Sequence, residues 1–220
     1  VFVDTLYFAG SLADRYVFTT NVEGEIYSSN DEITITGHVE DILGNAVSNM
    51  GVNVYLIVMG TRITLPTVSD SNGNYTVTYT PRYSESGYYQ VGSCAYGYNS
   101  NDIHDAFDIP GMSPVSSDFI IWQPYQYETM TGMVEIRNRS RIPINNIQIN
   151  SISLPNGCSV SFTGVTDLGP LETGQLYYTV TGAQVTSGNS YEEALFQVAA
   201  DNGLTMNMTC YYYCRQRRGT

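Results

Sequence analysis

Residues 67–81 read TVSDSNGNYTVTYTP and carry the clearest structural signal in this sequence. Five turn-forming residues stand near its start, and their dipeptide Asn72-Gly73 accepts positive φ at little energetic cost. Residues 74–79 then alternate polar and apolar side chains, which is the period of a β-strand. Pro81 ends the strand because it has no N–H to donate. The stretch therefore predicts a β-hairpin.

The same pattern of short alternating segments and turn formers repeats along the chain. Residues 25–109 contain about seven such segments with turn signals about every 8–12 residues, which is typical of a Greek-key β-sandwich. The pattern starts again near Asp118 and continues to Cys214. We find no segment with helical periodicity longer than a turn or two. The sequence therefore predicts an all-β protein with two tandem sandwiches.

The best linker candidate is PGMSP at residues 110–114, because proline and glycine interrupt regular structure. It divides the chain into two halves, each long enough for a domain of ordinary size. The predicted organisation is an N-terminal strand segment at 1–24, a first sandwich at 25–109, a linker at 110–117, a second sandwich at 118–215 and a tail at 216–220.

The N-terminal residues form an apolar segment that precedes the first recognisable sandwich. Its candidate assembly residues are Val1, Val3, Leu6 and Phe8. We consider three roles for this segment: the tail of a preceding unit, pairing with the chain's own second strand, or addition as a strand to a neighbouring molecule. The chain starts without Met or a basic segment, so we expect a mature product or a fragment.

The charge composition argues against several classes of partner. The 220 residues include 21 acidic and nine basic residues, all nine of them arginine, for a net charge of −12. Such acidity argues against binding of nucleic acid, phosphate groups or anionic membranes. No apolar run approaches the length of a membrane span, so we expect no membrane insertion. The 19 tyrosines and the abundant Ser, Thr and Asn indicate an extracellular or cell-surface protein.

The four cysteines are Cys94, Cys158, Cys210 and Cys214. They form no CxxC pair, and the two histidines lack metal-ligand spacing, so we predict no metal and no cofactor. Disulfides in an oxidising compartment fit better. On one strand Cys210 and Cys214 would lie roughly 13 Å apart, whereas bridged Cα atoms lie within about 7 Å. We therefore predict a Cys158–Cys210 or Cys158–Cys214 bridge; Cys94 pairs with the other cysteine, pairs between molecules or stays a buried thiol.

Several stretches resemble known extracellular sandwiches. Residues 25–56, EIYSSNDEITITGHVEDILGNAVSNMGVNVYL, followed by the turn and strand at 69–81, resemble the immunoglobulin-like repeats of bacterial surface proteins and the macroglobulin-type β-sandwiches. Residues 132–149, GMVEIRNRSRIPINNIQI, with LGPLETGQLYYTV at 168–180, resemble adhesion-type sandwiches appended to surface proteins and secreted hydrolases. The resemblance implies two immunoglobulin-like β-sandwiches. It implies no catalytic residue, and a shared fold does not specify a function.

Three N-glycosylation sequons begin at Asn74, Asn138 and Asn207. Their number is what chance predicts from the Asn, Ser and Thr content, so the number itself carries no weight. They matter only if the source glycosylates its secreted proteins. Asn138 is the best candidate of the three because it lies in a predicted turn.

Acidic residues offer two candidate calcium sites. The loop that begins at Asp70 lacks the Gly and Glu of an EF-hand, because Tyr75 and Pro81 occupy those positions, so a turn is predicted there. Carboxylates between tandem sandwiches can also hold calcium, although we favour a solvated loop. That second set consists of Asn101, Asp102, Asp105 and Asp108.

No set of residues predicts catalysis. His38 and His104 belong to no recognisable Ser/His/Asp or Cys/His arrangement, and no Gly-x-Ser-x-Gly sequence occurs. The basic run at 215–218, RQRR, resembles a furin-type processing site and can equally be a solvated tail. We therefore expect no enzymatic activity of this chain.

Aromatic residues offer a candidate surface for glycans. Trp122 could stack on a sugar ring, although burial in the core is the simpler interpretation. Paired tyrosines at 88–89, 177–178 and 211–213 place rings on both faces of their strands, so one face belongs to the core and the other is exposed or in an interface.

Together these features predict a structural subunit or repeat of an extracellular filament or cell-surface stalk. Its expected partners are further copies of itself or neighbouring repeats. The absence of lysine supports this hypothesis, because lysine discourages pairing between sheet edges, and tyrosine is enriched at interfaces. The alternative hypothesis is a carbohydrate-binding or adhesion module of a secreted or surface protein.

Overall fold

The structure, a computed structural model, describes residues 15–82, 85–115, 119–183 and 191–216. Fifteen β-strands and one 3-10 turn form the regular structure of these residues, and none of them lies in an α-helix. The chain divides into two compact units between Ile109 and Pro110. The predicted all-β fold is therefore confirmed.

Unit 1 is a seven-stranded β-sandwich. Its strands are β1 (Tyr16–Val22), β2 (Ile33–Asp41), β3 (Gly51–Val58), β4 (Thr61–Val68), β5 (Asn74–Tyr79), β6 (Gly87–Ala95) and β7 (Asp105–Ile109). One sheet has the order β1-β2-β5 and the other the order β4-β3-β6-β7. All five pairs are antiparallel. The fourth strand joins β3 rather than β5, which is a variant of the seven-stranded immunoglobulin arrangement.

The core of unit 1 forms from the inward side chains of both sheets. Its fully buried members include Ile33, Ile35, Val52, Val54, Leu56, Val91 and Phe107. Aromatic rings fill one region of this core, where Phe107 stacks on Tyr89 with ring centroids 4.9 Å apart. β-branched and aromatic side chains of this kind suit a pleated surface that is buried on one face.

The stretch at residues 67–81 forms the predicted turn but not the predicted hairpin. One Asp70 carboxylate oxygen accepts hydrogen bonds from the backbone N–H groups of Asn72 and Asn74, both at 2.8 Å, and Gly73 adopts a φ of 80°. However, β4 pairs with β3, and β5 pairs with β2 in the other sheet. The prediction of a hairpin was therefore wrong, because this turn carries the chain from one sheet to the other.

Two strands of unit 1, β1 and β7, lie in segments for which the sequence predicted a different structure. Strand β1, within the predicted N-terminal segment 1–24, pairs with β2 over the register Tyr16↔Asp41 to Val22↔Ile35, so it is part of the first sandwich. Strand β7 occupies a stretch that looked like a polar loop. The Asp105 carboxylate accepts a 2.7 Å hydrogen bond from the backbone N–H of Val22, so this acidic side chain holds β7 against β1.

Unit 2 is an eight-stranded β-sandwich. Its strands are β8 (Met112–Pro114), β9 (Phe119–Trp122), β10 (Thr129–Asn138), β11 (Gln148–Ser153), β12 (Ser159–Gly164), β13 (Thr173–Thr181), β14 (Glu192–Ala199) and β15 (Thr205–Tyr212). The sheets have the orders β12-β13-β10-β8 and β11-β14-β15-β9. All pairs are antiparallel except β9 with β15, which is parallel. The two four-stranded sheets reproduce an immunoglobulin-type sandwich.

The ends of unit 2 differ in part from the prediction. Strand β8 lies inside the predicted linker 110–117 and pairs with β10, so that segment is not wholly a linker. The turn predicted at Asp201-Asn202-Gly203 is confirmed: a 3-10 turn there joins β14 to β15.

The core of unit 2 is built around Trp122. The Trp122 ring is 0% exposed, and its centroid lies 5.5 Å from that of Phe196 and 5.6 Å from that of Tyr178. Phe162 of β12 packs edge-on against Phe196 at 5.0 Å. These rings interact in the tilted and edge-to-face geometries that aromatic pairs favour.

Candidate functional site

A groove in unit 2 opens between its two sheets. We call it the β11–β12 groove, and its volume is about 370 Å³. Its lining residues are Ile147, Gln148, Ile149, Ser151, Val160, Phe162, Thr163, Gly164, Val165, Thr166, Leu176 and Phe196. Leu176 and Phe196 belong to the buried core, so the groove gives access to the core of the sandwich.

The groove exists because two edge strands of opposite sheets lie side by side. Among the described strands β11 pairs only with β14, and β12 pairs only with β13. The apolar side chains between these edges are only half-buried: Ile149, Val160, Phe162 and Val165. One hydrogen bond, 2.7 Å from the backbone N–H of Ile147 to the carbonyl oxygen of Thr166, joins the two walls.

The chemistry of the β11–β12 groove suits an extended apolar peptide. A sheet edge presents backbone N–H and C=O groups that can pair with an added strand. Main-chain pairing supplies affinity in such complexes, and pockets for alternate side chains supply specificity. The rim residues of this groove that are exposed carry no formal charge: Gln148, Ser151, Thr163, Gly164 and Thr166.

A second cavity lies in unit 1. We call it the β1–β6 pocket; its volume is about 300 Å³, and it is lined by residues 16–18 of β1, residues 93–95 of β6 and part of the following loop. The loop residues are Tyr98, Asn99, Ser100, Asp102 and His104. Aromatic rings and polar side chains thus meet in one concave site, which is the usual composition of a small-ligand pocket.

Two lining residues, Ser93 and His104, connect the β1–β6 pocket to a buried cluster of hydroxyl groups. The Thr20 hydroxyl lies 2.7 Å from the Ser93 hydroxyl, 3.1 Å from the Tyr75 hydroxyl and 2.9 Å from Nδ1 of His104. The Tyr75 hydroxyl donates to the carbonyl oxygen of Thr19 at 2.6 Å. These groups satisfy one another inside the core, as buried polar groups must.

The electrostatics of this cluster favour its neutral state. Burial lowers the pKa of His104, because desolvation disfavours the imidazolium, and the nearby charge of Asp102 only partly opposes this effect. Burial likewise raises the pKa values of Tyr75 and of Cys94. Cys94 donates to the carbonyl oxygen of Tyr98 at 3.2 Å. The raised pKa keeps the Cys94 thiol protonated near neutral pH, and a protonated thiol is a weak nucleophile.

The sequence alone did not reveal either cavity. The hydrogen-bonded pairs of the hydroxyl cluster lie between 18 and 84 positions apart along the chain, so no local motif connects them. For the β11–β12 groove, the alternation of Val160 and Phe162 predicted a strand. The alternation of polar and apolar residues does not show which strands lie at the edge of a sheet.

The structure distinguishes the three sequons. Asn74 and Asn207 are exposed on β5 and β15. Asn138 is 0% exposed, and its amide N–H groups donate to the carbonyl oxygens of Ile142 and Gly169 at 2.7 and 2.9 Å. A glycan on Asn138 is incompatible with these bonds, so the preference for this position was wrong.

The cysteines form no disulfide in the structure. Cys94, Cys158, Cys210 and Cys214 are all buried and lie outside any disulfide, which contradicts the predicted bridge from Cys158 to Cys210 or Cys214. Cys210 lies in β15, whereas Cys214 follows that strand and donates to the carbonyl oxygen of Ala183 at 3.2 Å. Burial raises the pKa of Cys158 to about 11 and that of Cys210 to about 12.

We expect the folded protein to resist alkylation at all four cysteines. Burial keeps the reagent away from all four thiols. The raised pKa values of Cys94, Cys158 and Cys210 also leave them with almost no thiolate near pH 8, and the thiolate is the reactive species. Mass spectrometry after iodoacetamide treatment should therefore find no adduct on the native chain and four adducts on the unfolded chain without reductant. A non-reduced, unfolded sample that takes up only two adducts would show a disulfide and contradict the structure.

The candidate calcium and catalytic residues do not converge. The described residues contain no group of three or more His, Cys, Asp or Glu side chains that could hold a metal ion. Asp102 accepts a 2.7 Å hydrogen bond from the Ser100 hydroxyl, whereas Asp108 is buried in β7. His38 bonds Asn74 across the sheet through Nδ1 at 3.0 Å, far along the chain from His104. The favoured solvated loop also needs correction, because Asp105 and Asp108 belong to β7.

The aromatic residues separate into core and surface sets. Trp122 lies entirely in the core, so it cannot act as an exposed platform for a sugar. Tyr178 is buried and its neighbour Tyr177 is 50% exposed, in agreement with the predicted two-faced strands. Tyr212 is buried between two less buried tyrosines in the same way.

Some of the residues that the sequence singled out, at both ends of the chain, lie outside the described residues. Val1, Val3, Leu6 and Phe8 lie outside the described residues. So do the last two arginines of RQRR at 215–218. The guanidinium of Arg215 donates to Oε1 of Gln123.

Comparisons with solved structures find matches at low sequence identity, all with TM-scores below 0.5. A bacterial α2-macroglobulin from Escherichia coli, activated by porcine elastase, matches with a TM-score of 0.49 and 10% identity over 92% of this chain and 22% of that chain. The adhesin InvE of Yersinia pseudotuberculosis matches with a TM-score of 0.41 and 12% identity over 92% of this chain and 61% of that chain.

A protein of unknown function from Porphyromonas gingivalis matches with a TM-score of 0.36 and 11% identity over 90% of this chain and 99% of that chain. No protein-family model matches the sequence, and no curated protein matches it. Similarity at this level concerns the fold and carries no argument about function. Within the described part of the chain, no helix is both long and apolar enough to span a membrane.

Proposed function

We propose that this chain is a structural subunit or repeat of an extracellular filament or cell-surface stalk, and that it self-associates through the edges of its sandwiches. The observation that carries this proposal is the β11–β12 groove. Among the described residues, β11 and β12 are edge strands, and the apolar side chains between them are only half-buried. The chain has no lysine to discourage edge pairing. Its acidity and its polar, uncharged composition support an extracellular location.

Sedimentation of the whole chain tests this function. We expect the weight-average mass to rise with protein concentration, because self-association follows mass action. Electron microscopy of the concentrated sample should then show elongated assemblies. A chain that remains monomeric at its highest soluble concentration, under several salt conditions, would contradict the structural role.

The β1–β6 pocket favours a second candidate function, a carbohydrate-binding module. Tyr16, Phe18 and Tyr98 provide rings that can pack on a sugar, and Asn99 and Asp102 provide hydrogen-bonding groups. A binding site of this kind combines a mostly apolar lining with a few polar groups. Net negative charge favours neutral sugars over acidic ones.

A glycan array distinguishes this candidate from a purely structural role. We expect reproducible binding to a neutral glycan that is lost in Tyr98→Ala. The matched control is Tyr96→Ala, because Tyr96 is 68% exposed and does not line the pocket. Binding that persists in Tyr98→Ala, or the absence of any bound glycan, would argue against this candidate.

A further inference from the structure

We propose that the β11–β12 groove of one copy receives residues 1–8 of a second copy as an added β-strand. The proposal rests on the proposed function, because it names the contact through which copies self-associate. Three observations support it: the length of the two edges, the chemistry of the groove, and the seven-stranded sandwich that unit 1 forms from Tyr16 onward.

The dimensions of the groove match those of the segment. Strands β11 and β12 have six residues each, so each edge is about 20 Å long at about 3.3 Å per residue. Eight residues in extended conformation span about 26 Å by the same measure. Residues 1–8 can therefore pair along a whole edge of the groove.

The chemistry of the segment matches the apolar walls of the groove. Its sequence is VFVDTLYF. The even-numbered positions include Asp4, whereas Val1, Val3, Thr5 and Tyr7 carry no charge and favour strands. Alternate side chains of an added strand face the same side. The odd-numbered side chains therefore face the core of the acceptor, since burial of an unpaired carboxylate is costly. Of the candidate assembly residues, Val1 and Val3 then enter the groove, whereas Leu6 and Phe8 lie on the opposite face of the added strand.

The described residues of unit 1 form a sandwich with a core of its own. Its two sheets already contain seven strands from Tyr16 onward, and their shared core includes residues that are 0% exposed on both sheets, such as Ile35 and Val54. The first strand β1 begins at Tyr16, so only Arg15 separates it from residues 1–14. Fourteen residues span up to about 46 Å when extended, which is ample for a strand that joins one copy to the next.

The first experiment removes the donor. A chain that begins at Arg15 keeps every described residue, so it should fold, and we expect it to lose self-association. A synthetic peptide of residues 1–14 should bind this truncated chain in fluorescence anisotropy. The same peptide with Val3→Asp should bind with an affinity lower by a factor of about ten or more, because the charge would enter the apolar groove. A peptide with Asp4→Asn should bind as the natural one does.

The second experiment blocks the acceptor. Val160→Arg places a long charged side chain in the groove, and Ser161→Arg is its matched control, because Ser161 is exposed on the same strand and does not line the groove. Circular dichroism and Trp122 fluorescence verify that both variants remain folded. We expect Val160→Arg to abolish peptide binding and self-association, whereas Ser161→Arg retains both.

The two readouts separate this proposal from the proposed function. Full-length protein that associates equally well with Val160→Arg would preserve the structural role and overturn the groove as the acceptor. Peptide binding to the truncated chain, together with a full-length chain that stays monomeric, would show that residues 1–8 occupy the groove of their own chain; this result would overturn the contact between copies. Failure of the natural peptide to bind the folded truncated chain would overturn the proposal directly.

Discussion

Trp122→Ala is expected to destabilise unit 2 by about 3–5 kcal/mol, the range for removal of a large aromatic side chain from a core. The Trp122 ring is fully buried and packs against Phe196 and Tyr178 from different sheets. Its removal leaves a cavity between the sheets that the neighbouring rings fill only in part. We therefore expect the transition of unit 2 to move to a markedly lower urea concentration.

Circular dichroism during urea unfolding measures this effect, because Trp122 is the single tryptophan and the variant has none to report by fluorescence. Two units need not unfold together, so each transition is fitted separately. The matched control is Ile121→Ala on the same strand, where the side chain is 50% exposed. The control should shift the transition only slightly. Equal shifts for both variants would contradict the central place of Trp122 in this core.

Gly37→Ala is expected to destabilise unit 1 by about 3 kcal/mol or more, through overpacking and the loss of buried hydrogen bonds. A Cβ atom on Gly37 would lie 2.2 Å from the Tyr75 ring and 2.4 Å from the carbonyl oxygen of Thr19. The Tyr75 ring crosses Gly37 to reach that same carbonyl oxygen. Displacement of the ring also breaks the contacts of Tyr75 with Thr20 and Ser93.

The matched control for this variant is Gly44→Ala. A Cβ on Gly44 would meet no atom within 4 Å, although the φ of 82° strains any other residue, so a cost of about 1 kcal/mol is expected. Trp122 fluorescence should be unchanged in both variants, because it reports unit 2, while circular dichroism should record the earlier unfolding of unit 1. If Gly37→Ala unfolds no earlier than Gly44→Ala, the close packing of Tyr75 over β2 is wrong.

Local pattern was sufficient to predict the strands, and insufficient to predict their partners. The period-two alternation of β5 and of β15 was readable because one face of each strand is buried. The turn between β4 and β5 was readable because Asp70, Asn72 and Gly73 have local roles. Whether the strands on both sides of that turn pair with each other depends on β2 and β3, which lie 10 to 40 residues earlier in the chain.

Polar residues produced the main errors at the candidate sites. Asn138 looked like an exposed turn residue, yet its amide satisfies two loop carbonyl groups inside unit 2. Asp105 looked like part of a solvated loop, yet its carboxylate binds the backbone of β1. A buried polar side chain is stable when its hydrogen bonds are supplied by distant segments. That information is not present in the residues around it.

The parallel pairing of β9 with β15 determines how unit 2 carries tension. The pairing runs from Phe119↔Thr209 to Trp122↔Tyr212, and hydrogen bonds between Arg215 and the backbone of residues 124–126 extend it. A pull toward the N-terminus on β9 and toward the C-terminus on β15 slides the two strands past each other. Because the strands run in the same direction, all of these bonds bear load at once, whereas a pulled hairpin opens one bond at a time. In a chain of such subunits under flow or traction, the second sandwich would be a mechanical clamp.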